Sequence, residues 1–176
     1  MSHRSVYLAK YRSSSRQRAH FAIFIPDIGI EGRDLGKSFR SASTKGTVIH
    51  VIGEPVLAGY ALEIKRNYEC KESRDLEELV LLGHVDPANV YNPTDTEFVK
   101  NDKARTAIER EAVRVPPPPR GQNVRAPING VTTKRCQEWT MEFLYRLVEK
   151  RLIPSAAVSI AQDHRDAPTL GIFGQK

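Results

Sequence analysis

The chain has 176 residues, a net charge of +6, and 40% hydrophobic against 27% charged residues, a size and balance that suit one globular domain, residues 1–176, with a buried core. No apolar run approaches the length of a bilayer span, and the start, Met-Ser-His-Arg-Ser-Val-Tyr, lacks the apolar stretch of a signal peptide; a cytoplasmic protein without a membrane span is expected. Two cysteines, Cys70 and Cys136, are too few for a secreted disulfide scaffold and read as reduced thiols.

Residues 5–11 alternate weakly and form a first predicted strand. Residues 1–20 carry Arg4, Lys10, Arg12, Arg16 and Arg18 and no acid. No zinc-finger spacing or RNP-type aromatic motif accompanies this charge, so residues 12–18 read as a solvated loop without specific nucleic-acid binding. Residues 19–25 are apolar on both alternating faces, with His20, Ala22 and Phe24 on one and Phe21, Ile23 and Ile25 on the other. That pattern predicts a central strand covered on both sides and ended by Pro26.

Residues 27–45 hold Gly29, Gly32 and Gly36 among charges and read as a connecting loop. A strand is predicted over 47–52, with His50 on the face of Val48 and Ile52, and a turn at 53–55. Residues 59–66 alternate, placing Tyr60, Leu62 and Ile64 inward and Ala61, Glu63 and Lys65 outward. Residues 79–85 form a further apolar run that contains His84. Residues 95–113 have the composition of an exposed helix with a thin stripe of Phe98, Ala104, Ile108 and Ala112.

The prolines at 116–119 exclude a helix and predict a short extended spacer, followed by loop to residue 130. Thr132 or Thr133 is positioned to cap the next helix. Its buried face is predicted from Trp139, Phe143, Leu144, Leu147, Val148 and Leu152. Cys136 precedes Trp139 by one turn and points to the same side. Pro154-Ser155 breaks this helix and starts another over 155–163.

The chemistry-bearing residues are His20, His50 and Cys136. A thiol in the first turn of a helix lies beside unpaired N–H groups that favour the thiolate, and Lys134 and Arg135 add positive charge. His20 is placed to take the thiol proton, His50 to orient His20, and the N–H of Cys136 to hold an oxyanion. Cys70, between Glu69 and Lys71, has no such setting and reads as a bystander. His84 reads as core or surface, and His3 and His164 as solvated.

The pattern His-Phe-Ala-Ile-Phe-Ile (20–25), Val-Ile-His-Val-Ile-Gly (48–53), Cys-Gln-Glu-Trp (136–139) resembles the circularly permuted NlpC-type papain-like fold, in its lecithin:retinol acyltransferase-like branch. It is also similar to a set of uncharacterised fungal proteins with the same His, His, Cys order. In that branch a strand begins His-Trp-Ala-Ile-Tyr, a second carries Val-Val-His, and Asn-Cys-Glu-His-Phe opens a helix. Here Phe21 replaces the Trp, Arg135 the Asn, and Gln137-Glu138-Trp139 the Glu-His-Phe.

The resemblance implies an α+β domain whose antiparallel sheet of about five strands packs against the Cys-bearing helix. Cys136 would be its nucleophile, His20 its base and His50 its third polar group. It implies a thiol-dependent hydrolase or acyltransferase acting on an amide, ester or thioester of a small-molecule or acyl substrate, with no cofactor. Residues 51–135 would be an insert able to cover the pocket. Three other readings are a cyclase or isomerase using the same pocket for acid–base chemistry, a binding module with a relic site, and a zinc site of His20, His50 and Cys136. No short paired-ligand spacing supports the last.

Overall fold

The computed structural model describes residues 3–30 and 34–172, with Lys37 described by its backbone alone. Six strands form one antiparallel sheet: β1 (Arg4–Tyr11), β2 (His20–Pro26), β3 (Lys45–Glu54), β4 (Gly59–Glu69), β5 (Leu76–Val85) and β6 (Val99–Asn101), in the order β5-β1-β2-β3-β4-β6. The helices are α1 (Leu35–Ser38), α2 (Ala107–Val113), α3 (Cys136–Glu149) and α4 (Ala156–Asp163). The architecture is α+β, with one strand more than the five expected.

The double-sided apolar pattern of β2 has the predicted consequence. Phe21, Ile23 and Ile25 join Val6, Leu8, Ile49, Val51 and Ile64 in a core beneath α2, α3 and α4. Ala22 and Phe24 join Tyr7, Ala9, Val48, Leu76 and Leu79 in a second core capped by Leu35 and Phe39 around α1. Trp139 anchors α3: its indole N–H donates to Val115 O (3.1 Å) and its ring lies 5.3 Å from that of Phe143.

Three local expectations are corrected. The helix expected over residues 95–113 is confined to Ala107–Val113. Val99–Asn101 instead pairs with Ile64–Arg66 at the open edge of β4, because ladder hydrogen bonds satisfy that edge where a weak stripe does not nucleate a helix. The helix begins where Glu109 is buried, its carboxylate accepting from both Arg66 Nη groups (2.6 Å each) and from Arg105 N (2.9 Å).

Neither Thr132 nor Thr133 caps α3. Thr133 Oγ1 donates to Pro127 O (2.8 Å), and the N-cap is Arg135, whose N–H donates to the Glu138 carboxylate one turn on (2.9 Å). The loop expected over 27–45 contains the short helix α1; Gly32 lies outside the described residues.

Residues 12–18 form the expected loop, with Ser13, Ser15, Arg16 and Gln17 exposed, but several cations of the basic segment have internal partners. Arg4 is buried and its Nη2 donates to Pro26 O (2.5 Å); Arg12 pairs with Asp166 (3.0 Å) and Arg18 with Glu138 (2.8 Å). Arg4, Arg12 and Arg18 thus tie the segment to the fold, while Arg16 stays exposed in the loop. No described helix is long and apolar enough to cross a membrane.

Candidate functional site

The site forms where the central ladder opens. β2 and β3 pair from Pro26↔Gly46 to Ile23↔Ile49, and no pair follows. His20 stands at the start of β2, paired with Tyr11 of β1 but with no partner on β3, and His50 is the first residue of β3 past the last β2–β3 pair. Both belong to the alternation of Ala22, Phe24 and Val48, whereas α3 covers the other face. Cys136, the first residue of α3, reaches the edge of β2 from that other side, with Sγ 3.9 Å from Ala19 O. All three side chains line one cavity of about 840 Å³, together with Tyr11, Tyr60 and Lys65. Thr96 and Phe98, from the long segment between His50 and Cys136, line it too.

His20 Nε2 lies 2.7 Å from His50 Nδ1, and His50 Nε2 lies 2.9 Å from Glu63 Oε1. This chain fixes the tautomers. A carboxylate oxygen only accepts, so His50 carries its proton on Nε2 and presents the Nδ1 lone pair. His20 therefore donates through Nε2, and its Nδ1 is the nitrogen left with a free lone pair. No hydrogen bond joins Cys136 Sγ to either imidazole; Cys136 and His20 line the same cavity.

Glu63 has a role the outward assignment on its strand conceals. Outward from the helices is toward the histidines, because His50 and Glu63 are direct partners in the β3–β4 register. The hairpin arithmetic carries the signal: closing the turn with Glu54 opposite Gly59 sets His50 opposite Glu63.

Burial sets the resting protonation. It pushes the Cys136 thiol up, opposed by the Phe21 and Gln137 backbone N–H groups. It pulls His20 down to about 3, helped by the charges of His50 and Lys65. The resting pair is a neutral thiol and a neutral imidazole, which corrects the expectation of a thiolate held by the helix terminus and nearby cations. The reason is that desolvation penalises both ions of the pair, while the dipole and surface charges assist only one of them.

A polar clasp locks α3 against β2. Gln137 is fully buried; its Nε2 donates to Ala19 O (2.9 Å) and Asp166 Oδ2 (2.9 Å). Asp166 also accepts from Ala19 N (2.7 Å), and Glu138 accepts from Arg18 (2.8 Å) and Arg165 (2.8 Å). The residues flanking His20 and those following Cys136 are thus tied by the same few side chains.

The remaining sequence candidates fall elsewhere. Cys70 is fully buried in a short 3-10 turn (Cys70–Glu72), and its thiol is pushed well up by burial. His84 is exposed beside Ser5 Oγ (3.3 Å), His3 is exposed, and His164 Nδ1 is half-buried 3.3 Å from Lys10 Nζ. Among the described residues, no three His, Cys, Asp or Glu side chains converge as metal ligands.

The sheet, the split at its centre and the thiol–imidazole cleft define an α+β protein with a candidate nucleophilic site. The chain belongs to a family of unknown function, DUF6540, whose model matches residues 6–154 and so spans all three candidate side chains. Neither the curated proteins nor the solved structures provide a match.

Proposed function

We propose that the protein is a thiol-dependent hydrolase or acyltransferase built on a circularly permuted papain-like domain. The observation that carries this reading is the His20–His50–Glu63 chain, which leaves His20 Nδ1 as the one imidazole nitrogen of the pair with a free lone pair, on a residue that lines the same cavity as Cys136. The order β2, β3, then Cys-bearing helix is the order of the permuted branch that the sequence resembles.

In the proposed reaction Sγ attacks an acyl carbon while its proton passes to His20 Nδ1. The bond from that carbon to a nitrogen, oxygen or sulfur leaving atom breaks, and His20 returns the proton to the departing atom. A thioester on Cys136 remains. Water, or an acceptor nucleophile, then adds to it and gives a proton to His20, and the thiol is regenerated with that proton.

A neutral resting pair makes proton transfer concurrent with attack. His50 and Glu63 stabilise the imidazolium as it forms, through the ring nitrogen opposite the one that takes the proton. The N–H groups of the first turn of α3 lack carbonyl partners within the helix and lie beside the attacked carbon, where oxyanion charge develops.

The test is covalent labelling with mass readout. A thioester or activated ester is expected to leave an acyl adduct on Cys136, absent in Cys136→Ala, with Cys70 unmodified in both. Modification of Cys136 no faster than that of Cys70 overturns the reading. Turnover of a metabolite without any acyl adduct would favour the cyclase or isomerase alternative, in which the neutral His20 acts as base.

A further inference from the structure

Cys136 and Tyr60 line a second cavity, of about 350 Å³, as well as the first. Cys136 therefore sits at a junction, with the cavity of the histidines on one side and a separate space on the other. The second cavity has apolar walls from Val124, Ile128, Leu170 and Ile172. Its charged lining consists of Arg18 and Arg135, with no acidic residue among the described residues.

The two arginines differ in how their charge is met. Arg18 is neutralised by Glu138 (2.8 Å). Arg135 Nη1 donates to Gln122 Oε1 (2.6 Å) and to Lys134 O (3.0 Å), both uncharged acceptors, and Arg135 has no ion pair among the described residues. A half-buried guanidinium with uncompensated charge therefore stands at the N-cap of α3, next to the nucleophile, in a small apolar-walled space. The first cavity differs in kind: its larger lining mixes Lys45 and Lys65 with Glu69, Glu72 and Asp75 among tyrosines.

We infer that the second cavity is a subsite for a carboxylate-bearing group, the leaving or accepting portion of the substrate, held by Arg135 while the acyl portion occupies the larger cavity. Leaving group and acceptor share this side of the sulfur, because each is the partner of the same acyl carbon in opposite directions of one step. The apolar walls suit a short hydrocarbon chain attached to the carboxylate. The inference rests on the proposed role of Cys136 as nucleophile, and it assigns the polarity of one half of the substrate.

The test uses two small alkylating agents that differ only in charge. Rates at Cys136 are measured by mass spectrometry with iodoacetate and with iodoacetamide, alongside free glutathione. The iodoacetate-to-iodoacetamide ratio at Cys136 is expected to exceed that of glutathione. In Arg135→Gln it should fall about fivefold or more, the ratio cancelling any change in thiol reactivity common to the two reagents. An unchanged ratio in Arg135→Gln overturns the subsite while leaving the thiol–imidazole reading intact. Iodoacetamide reactivity at Cys136 no greater than at Cys70 overturns both.

A measurement on the unaltered protein guards against misfolding of the variant. Hexanoate is expected to protect Cys136 from iodoacetamide at concentrations where hexanamide does not. Equal protection by the two, or none by hexanoate, refutes the carboxylate subsite.

Discussion

Lowering the pH tests the state of His20 directly. Folding takes this imidazole from an ordinary 6.5 to about 3, chiefly by burial. Between those values the unfolded chain binds a proton that the folded protein rejects, so stability is full above about pH 6.5 and declines as the pH falls toward 3. At about 1.36 kcal/mol per pH unit of separation, His20 alone would cost about 2 kcal/mol at pH 5 and about 3 kcal/mol at pH 4. Its ring is only partly buried against the cavity, and water reaching it trims this to about 1–2 kcal/mol at pH 5.

The assay is urea unfolding of wild type and His20→Asn at pH 7.5 and at about pH 5. Asparagine keeps a donor for His50 and removes the titration. With a slope of about 2 kcal/mol per molar urea, the wild-type midpoint should drop about 0.5–1 M more than that of the variant. Asp166 and Glu138 are held below the ordinary carboxylate range and lose their contribution only at lower pH, outside this window. His50, also lowered by burial, is common to both proteins. Parallel losses in the two proteins, or an NMR titration of His20 near 6.5, would refute the assignment of a buried neutral imidazole.

Two further outcomes are expected. Glu63→Gln replaces an obligate acceptor by an amide that also donates, so His50 and His20 are free to adopt the opposite tautomers; Cys136 labelling by an activated ester should fall about tenfold or more, with stability changed by under about 1 kcal/mol. Full labelling in that variant would refute the tautomer argument. Glu109→Ala leaves the buried Arg66 guanidinium without its carboxylate between β4 and α2; thermal unfolding should show a loss of about 3–5 kcal/mol, and a loss under about 1 kcal/mol would show that Arg66 finds water instead.

The strand pattern was legible wherever residues alternate against two cores. β2 announces itself because both of its faces are apolar, and α3 because Trp139, Phe143, Leu144 and Leu147 recur at helical spacing. Residues 95–113 misled because their apolar positions are few, and pairing with an open strand edge, a contact remote in sequence, decided the outcome. Glu63 was hidden by the same locality: alternation assigns it a face, but only the β3–β4 register supplies its partner.

Composition, periodicity and the order of His20, His50 and Cys136 determine by themselves a mixed α and β domain with a thiol at a helix start and two imidazoles on strands. Tertiary structure alone decides that the ladder opens after Ile23↔Ile49, so that groups from opposite faces of the sheet share one cavity. It also decides the protonation of the pair. Local charge argues for a thiolate, but the energy of an ion depends on everything that displaces water around it, and that is a property of the packed molecule rather than of neighbours along the chain.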